Sequence, residues 1–147
     1  MESGQVSKKG PLLLVTGTSD SGTIADLEKA GFDVVLCQDP TKAVTIADIK
    51  PSNWQPTIIV VDVVLPQMSG YEVVRRLNVK WGLKKIPILM IAQHPSPEDM
   101  LELQSVGAIA LLQKPLTWSA LADVIEKERM KRLKAEIGDL VFKIGYE

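Results

Sequence analysis

The sequence predicts an α/β protein built on a doubly wound parallel sheet. Four short runs at 12–15, 57–62, 86–92 and 108–113 are apolar and rich in β-formers, and a fifth at 32–37 is slightly more polar. Their apolar residues are continuous rather than alternating, which is typical of strands covered on both faces. Helical patterns separate the runs, so we expect five strands alternating with five helices.

The helical segments carry start and stop signals. The start signals are capping candidates and one early proline: Asp39, Thr41, Ser96, Pro97 and Thr117. The stop signals are Gly31 and Gly82, each at the end of an apolar helical pattern. These signals set the order of the elements along one domain.

Length and composition limit the class of protein. The chain has 147 residues, a net charge of −1 and 46% hydrophobic residues, which suits one globular domain with a full core. The charge gives no sign of nucleic-acid or membrane binding. The only cysteine, Cys37, excludes an internal disulfide and suits a reducing compartment, and no segment resembles a signal peptide or a membrane span. We therefore expect a cytoplasmic protein.

Two charged residues follow strands of the predicted sheet. Asp62 ends the run at 57–62 and Lys114 follows the run at 108–113. Ligands of such sheets bind beyond the carboxyl ends of the strands, so we expect both side chains there, at neighbouring strand ends. A structural salt bridge explains the pair as well as a functional site does.

The segment "TIIVVDVVLPQMSGYEVVRRL" resembles the phosphoacceptor region of a response-regulator receiver domain, with Asp62, Pro66 and Gly70 at matching positions. "GAIALLQKP" is similar to the family's fifth strand and its Lys-Pro ending, and the resemblance runs from about residue 10 to 130. It implies a flavodoxin-like (βα)5 receiver fold over residues 11–130, after a flexible leader at 1–10. It also implies that Asp62 is the phosphoacceptor and that Lys114 contacts its acyl phosphate, in a signalling module rather than an enzyme.

The chain departs from the receiver pattern at four positions. Thr16 and Gly17 stand where receivers carry the acidic pair that holds Mg²⁺, Ala92 replaces a Ser or Thr, and Leu111 replaces an aromatic switch residue. Mg²⁺ prefers several oxygen ligands, and phosphoryl transfer depends on neutralising the phosphoryl charge. We therefore expect no cofactor, or at most weak Mg²⁺ binding, and slow or absent phosphorylation.

Four further features have both a functional and a structural interpretation. Asp20 could join Asp62 and the Val64 carbonyl as a metal ligand, but Ser19 or Asp20 is favoured as a helix cap. His94 is favoured as an exposed loop residue over a phosphate contact, and Cys37 as a small core residue. The Gly17–Gly22 loop has glycine spacing close to a phosphate-binding loop but lacks its lysine.

Three functions are compatible with these residues. The first is a stand-alone receiver-like module of a two-component phosphorelay, without a following DNA-binding domain, that acts by protein–protein interaction. Its partner would be a histidine kinase or a downstream effector, bound near 100–114 and 118–132. The alternatives are a single-domain response regulator phosphorylated on Asp62, and a nucleotide-binding protein that uses the Gly17–Gly22 loop.

Residues 131–147 form a C-terminal extension with two interpretations. Met130, Leu133, Ile137, Leu140 and Ile144 follow a 3-4-3-4 spacing, which is typical of a helix that pairs with a second copy or another partner. Gly138 is unfavourable inside a helix. Two heptads are also fewer than a coiled coil usually needs. The favoured interpretation therefore ends the helix near Gly138 and leaves "DLVFKIGY" as a strand-like tail packed on the domain, or as a disordered one.

Overall fold

The computed structural model describes residues 8–18, 21–46, 54–81 and 86–145, with side chains to residue 141. Five strands and five helices alternate in these ranges. The strands are β1 (Gly10–Val15), β2 (Phe32–Cys37), β3 (Ile58–Asp62), β4 (Ile88–Ala92) and β5 (Ala110–Gln113). The helices are α1 (Ser21–Lys29), α2 (Pro40–Val44), α3 (Gly70–Trp81), α4 (Pro97–Val106) and α5 (Trp118–Gly145).

All five strands belong to one parallel sheet in the order β2-β1-β3-β4-β5. The predicted fold class is therefore confirmed, with each strand close to its predicted position. Strands β3 and β4 are buried along their whole length, while β5 at one edge is only half-buried. Three of the four continuous apolar runs thus form strands with neighbours on both sides, whereas the run at 108–113 forms an edge strand.

One face of the sheet packs against α2, α3 and α4. The shared core joins alternate strand residues such as Leu13, Ile59 and Met90 to Leu77 and Leu103 of the helices. The residues between them, such as Leu12 and Val60, face the other side and are fully buried too. This packing holds the carboxyl ends of the strands at one edge of the sheet.

Two helices begin at capping residues that the sequence predicts. The side chain of Asp39 accepts hydrogen bonds from the backbone N–H and hydroxyl of Thr41 before α2. Ser96 and Asp99 form a reciprocal capping box at α4, with Pro97 at the first helical position. Thr41 is therefore a partner of the cap and not the cap itself.

Helix α5 is continuous from Trp118 to Gly145. The favoured prediction that the helix ends near Gly138 is wrong. Nothing lies within 4 Å of the position of a Cβ on Gly138, so the glycine lies in an open part of the helix. The cost of one glycine, about 1 kcal/mol, does not interrupt a helix in which strong helix formers such as Arg132, Leu133 and Lys134 precede it. Across the described ranges, no helix is long and apolar enough to cross a membrane.

Candidate functional site

Asp62 is the centre of a hydrogen-bonded cluster at the carboxyl edge of the sheet. It ends the buried strand β3, and only 4% of the residue is exposed. Its Oδ2 accepts hydrogen bonds from Lys114 Nζ at 2.7 Å and from Thr16 Oγ1 at 3.0 Å. Its Oδ1 accepts one from the backbone N–H of Val64 at 3.1 Å. Three donors, one of them a cation, therefore compensate for the burial of this carboxylate.

Lys114 reaches Asp62 across the end of an intervening strand. The sheet order places β4 between β3 and β5, so the prediction that Asp62 and Lys114 lie at neighbouring strand ends is wrong. The backbone N–H of Lys114 donates to the carbonyl of Ala92, the last residue of β4, at 2.9 Å. Its Nζ also lies 3.4 Å from Thr18 Oγ1. The aliphatic part of the Lys114 side chain therefore passes the end of β4 at Ala92, whose side chain is only a methyl group.

Thr16 and Gly17, at the positions where the resemblance expects an acidic pair, carry no charge. The Thr16 hydroxyl is buried, donates to Asp62 and accepts the backbone N–H of Thr18 at 3.3 Å. Gly17 is exposed, and a Cβ there would lie 3.0 Å from Cδ of Pro66. The N–H of Thr18, in the Gly17–Gly22 loop, is thus engaged by the protein. The rest of that loop includes residues 19–20, outside the described residues.

Gly70 allows α3 to begin directly against the end of β3. A Cβ on Gly70 would lie 2.0 Å from the backbone oxygen of Asp62, closer than any side chain can approach. The N–H of Gly70 donates to the carbonyl of Val63 at 3.0 Å. The glycine therefore fixes the loop that carries Val64, whose N–H binds the Asp62 carboxylate.

The residues of this cluster do not fit the Mg²⁺ site that the resemblance implies. Asp62 contributes one carboxylate, and both of its oxygens already accept hydrogen bonds from the protein. Nowhere in the described ranges do three acidic, histidine or cysteine side chains gather in a way that could hold a metal ion. Asp20, the candidate third ligand, lies outside these residues. A doubly charged cation would meet one carboxylate whose charge Lys114 already balances.

The remaining candidates lie around the cluster without joining it. Ala92 is buried, and Leu111 is half-buried against the core. Neither side chain can donate a hydrogen bond to a phosphoryl group. His94 lies in the exposed loop after β4. Cys37 is half-buried, burial raises the pKa of its thiol, and its Sγ donates to the carbonyl of Asp39 at 3.3 Å.

One contact between α3 and α4 is not predicted by the sequence. The hydroxyl of Tyr71 donates a hydrogen bond to Asp99, the residue that closes the α4 capping box. Partial burial and then this carboxylate raise the pKa of Tyr71, and the hydroxyl in turn lowers the pKa of Asp99. The Ser96-to-Asp99 spacing is a signal for the capping box. Nothing in the sequence indicates that Tyr71 reaches it.

A family model described as the response regulator receiver domain matches residues 6–126. The chain belongs to this family. Among solved receivers, the chemotaxis protein CheY4 of Vibrio cholerae is 29% identical, with a TM-score of 0.67 over 80% of this chain and 97% of CheY4. The predicted family and its flavodoxin-like fold are therefore confirmed.

Curated relatives include proteins of different lengths. Protein PilG of Pseudomonas aeruginosa is 27% identical over 68% of this receiver and 71% of PilG. The DNA-binding dual master transcriptional regulator RpaA of Synechocystis sp. is 32% identical over 61% of the receiver and 36% of RpaA. The probable transcriptional regulator ycf29 of Pyropia yezoensis matches over 41% of its own length. The chain thus spans less than half of two of these relatives.

Receiver domains are signalling modules of two-component systems that interact with histidine kinases or effectors.

Proposed function

We propose that this receiver acts through protein–protein contacts with phosphorylation at Asp62 impaired or absent. The observation that carries the proposal is the hydrogen bond from the buried Thr16 hydroxyl to Asp62, in the corner where the resemblance expects an acidic pair. A neutral donor there binds the carboxylate itself instead of attracting a cation beside it.

The charge of the cluster supports this proposal. Asp62 and Lys114 form an ion pair of zero net charge, and Thr16, Gly17 and Ala92 add no charge. An acyl phosphate would carry about −1.5 to −2 charges at neutral pH in place of the single charge of the carboxylate. Lys114 is the single cation that contacts Asp62 in the described ranges. Phosphoryl transfer relies on neutralising the phosphoryl oxygens, and Lys114 alone leaves up to half of that negative charge without a counter-charge.

The accessibility of Asp62 supports it as well. A nucleophilic carboxylate must approach a phosphodonor in line, but 4% of this residue is exposed. Oδ2 accepts two hydrogen bonds, which reduce its electron density and would have to weaken during attack. The Asp62–Lys114 pair would then be a permanent structural link rather than a poised reactive one.

An exposed apolar surface supports action through protein contacts. Met100 and Leu101 on α4 are 50% and 74% exposed. Both lie in the predicted partner region, 100–114. Contiguous exposed apolar surface is a feature of docking sites for other proteins, and these two neighbouring side chains would contribute to such a surface.

Intact-mass measurement after incubation with acetyl phosphate and Mg²⁺ tests the proposal. We expect no phosphoryl adduct on the wild-type chain and none on Asp62→Asn. The double variant Thr16→Asp, Gly17→Asp restores an acidic pair and should gain an adduct that Asp62→Asn removes. The side chain at position 17 needs Pro66 to shift by a few tenths of an ångström, so Thr16→Asp alone serves as a second test.

A response regulator phosphorylated on Asp62 is the alternative function. The 2.7 Å contact between Asp62 and Lys114 favours it, because this geometry would also place an ammonium beside an acyl phosphate. A wild-type adduct that is lost in Asp62→Asn would establish this alternative and overturn the proposal.

A further inference from the structure

Helix α4 presents two apolar and two acidic side chains to solvent. These are Glu98, Met100, Leu101 and Glu102, which together are called the α4 surface. Met100 and Leu101 are 50% and 74% exposed, and both glutamates are exposed as well. Glu98, Leu101 and Glu102 follow the i, i+3, i+4 spacing of one side of a helix. The α4 surface therefore combines exposed apolar area with an acidic edge.

The carboxylates of the α4 surface have no cation beside them. From residue 93 to residue 113 the sequence contains three acidic residues and neither lysine nor arginine. Among the residues that the structure describes, none forms an ion pair with Glu98 or Glu102. By contrast, Glu72 of α3 is paired with Arg75 and Arg76 of its own helix. The negative charge of α4 is thus left for a group from outside the helix.

Glu102 destabilises α4 rather than stabilising it. Glu98 and Asp99 lie in the first turn, where the N-terminus of a helix favours negative charge, and Asp99 also closes the capping box. Glu102 lies one turn later, and like charges three or four residues apart on a helix repel each other. Its Oε2 accepts a long hydrogen bond of 3.5 Å from the Ser105 hydroxyl, which carries no charge. A cation bound at this edge would relieve the repulsion.

Both ends of α4 are fixed by hydrogen bonds within the chain. At the start, Asp99 accepts from the Ser96 backbone N–H and from the Tyr71 hydroxyl of α3. At the end, Gly107 adopts a left-handed conformation, and its N–H donates to the carbonyl of Gln104 at 3.3 Å. The α4 surface is therefore presented on a preformed helix, which lowers the entropic cost of binding a partner.

Charge distinguishes the macromolecules that could cover the α4 surface. Nucleic acids and anionic lipids would be repelled by its carboxylates. The same surface of a second copy, placed opposite by a two-fold axis, would bring acids against acids. A protein segment with apolar residues flanked by Lys or Arg would cover Met100 and Leu101 and pair with Glu98 and Glu102.

We propose that the α4 surface binds a basic amphipathic helix of a partner protein. The inference rests on the proposed function, because it gives the chemistry of the partner in those protein–protein contacts. Leu101 packs between apolar side chains of the partner helix, and the flexible Met100 adapts to them. Lys or Arg side chains of the partner pair with Glu98 and Glu102. The predicted partner region at 100–114 is thereby extended to Glu98 and acquires a preference for positive charge.

Fluorescence anisotropy of a labelled synthetic peptide, titrated with the full chain, tests the proposal. The peptide is an amphipathic helix of leucine, alanine and lysine, and a second peptide has glutamate in place of every lysine. We expect the lysine peptide to bind with a Kd that rises with salt concentration, and the glutamate peptide not to bind. Absence of binding by the lysine peptide, or equal binding of both peptides, would overturn the proposal.

Charge variants locate the peptide. The double variant Glu98→Gln, Glu102→Gln should raise the Kd of the lysine peptide about tenfold. The double variant Glu28→Gln, Asp33→Asn is the matched control, because it removes two exposed acids elsewhere and should change the Kd less than about twofold. An equal rise in the two double variants would contradict binding at the α4 surface.

Apolar variants test the anchor. Leu101→Ser should raise the Kd about tenfold, because the partner then loses a leucine to pack against. Val79→Ser is the matched control, since Val79 is 78% exposed on α3 and lies outside the α4 surface. Both side chains are exposed, so urea unfolding should show wild-type stability for the two variants. An unchanged Kd for Leu101→Ser would refute its role as the anchor.

The titration also separates this proposal from its alternatives. Loss of peptide binding as the chain self-associates at high concentration would identify a second copy as the occupant and would overturn the proposal. The intact-mass measurement with acetyl phosphate reads only the phosphorylation of Asp62, whereas the peptide titration reads only the α4 surface. Failure of the proposed function and failure of this inference are therefore distinguishable.

Discussion

Replacement of Lys114 by Met removes the ammonium that contacts Asp62 and so tests how much this ion pair contributes to the free energy of unfolding. At the observed 2.7 Å, two unit charges attract by about 6 kcal/mol at an effective dielectric constant of about 20, and desolvation offsets much of this. Breaking a buried pair from one side costs about 3–5 kcal/mol. The Lys114 side chain is 22% exposed, and Thr16 and Val64 still donate to Asp62, so we expect about 2–3 kcal/mol for Lys114→Met.

Urea unfolding followed by tryptophan fluorescence measures this loss, since Trp54 and Trp81 stack edge-to-face with centroids 6.1 Å apart. The double variant Asp62→Asn, Lys114→Met should recover to within about 1 kcal/mol of wild type, because no unpaired charge remains. Lys127→Met, which breaks an exposed pair, is the control and should cost less than about 0.5 kcal/mol. A loss below about 0.5 kcal/mol for Lys114→Met would refute the reasoning.

Substitutions at three other positions test neighbouring contacts. Gly70→Ala places a Cβ against the Asp62 backbone oxygen and should cost about 1–3 kcal/mol in urea unfolding; an unchanged midpoint would show that the loop shifts freely. Asp99→Asn should cost about 1 kcal/mol at pH 7. Tyr71 lowers the pKa of Asp99 in the folded state. The stabilisation by Asp99 is therefore present above about pH 4 and is lost as the pH falls through the lowered pKa. The thermal unfolding temperatures of the wild type and of Asp99→Asn should accordingly become equal in acid. Thr16→Val removes a donor to buried Asp62 and should cost about 1–3 kcal/mol, whereas Thr16→Ser keeps the hydroxyl and most of the stability; equal losses would contradict the role of this hydrogen bond.

The sheet was predictable because its signals are local. Continuous apolar runs identify the strands, and the carboxyl ends of parallel strands meet at one edge, which brings Asp62 and Lys114 together. The presence of β4 between their strands was not predictable from the same reasoning. The order of strands depends on the sheet position to which each helical connection leads the chain, and the apolar runs do not indicate this. The receiver resemblance supplied the family, and the match over residues 6–126 confirms it.

The details of the site depend on side-chain direction, which spacing alone does not give. Thr16 was expected only as a missing acid, and its donation to Asp62 depends on the register that aligns Val15 of β1 with Val61 of β3. The Tyr71–Asp99 contact joins residues 28 positions apart and has no sequence signal. The prediction of a shorter α5 rested on Gly138 and on a pattern of only two heptads, but the strong helix formers that precede Gly138 outweigh the cost of one glycine.

The crossing of Lys114 over β4 also affects the edge of the sheet. Strand β5 has four residues, one neighbouring strand and half-buried side chains, so it is the strand most prone to fraying. The ion pair ties its carboxyl end to β3, one strand beyond its hydrogen-bonded neighbour. Local detachment of β5 therefore requires rupture of a charge pair as well as of the ladder. The Asp62–Lys114 ion pair thus stabilises the edge strand β5, although the site lacks an acidic pair.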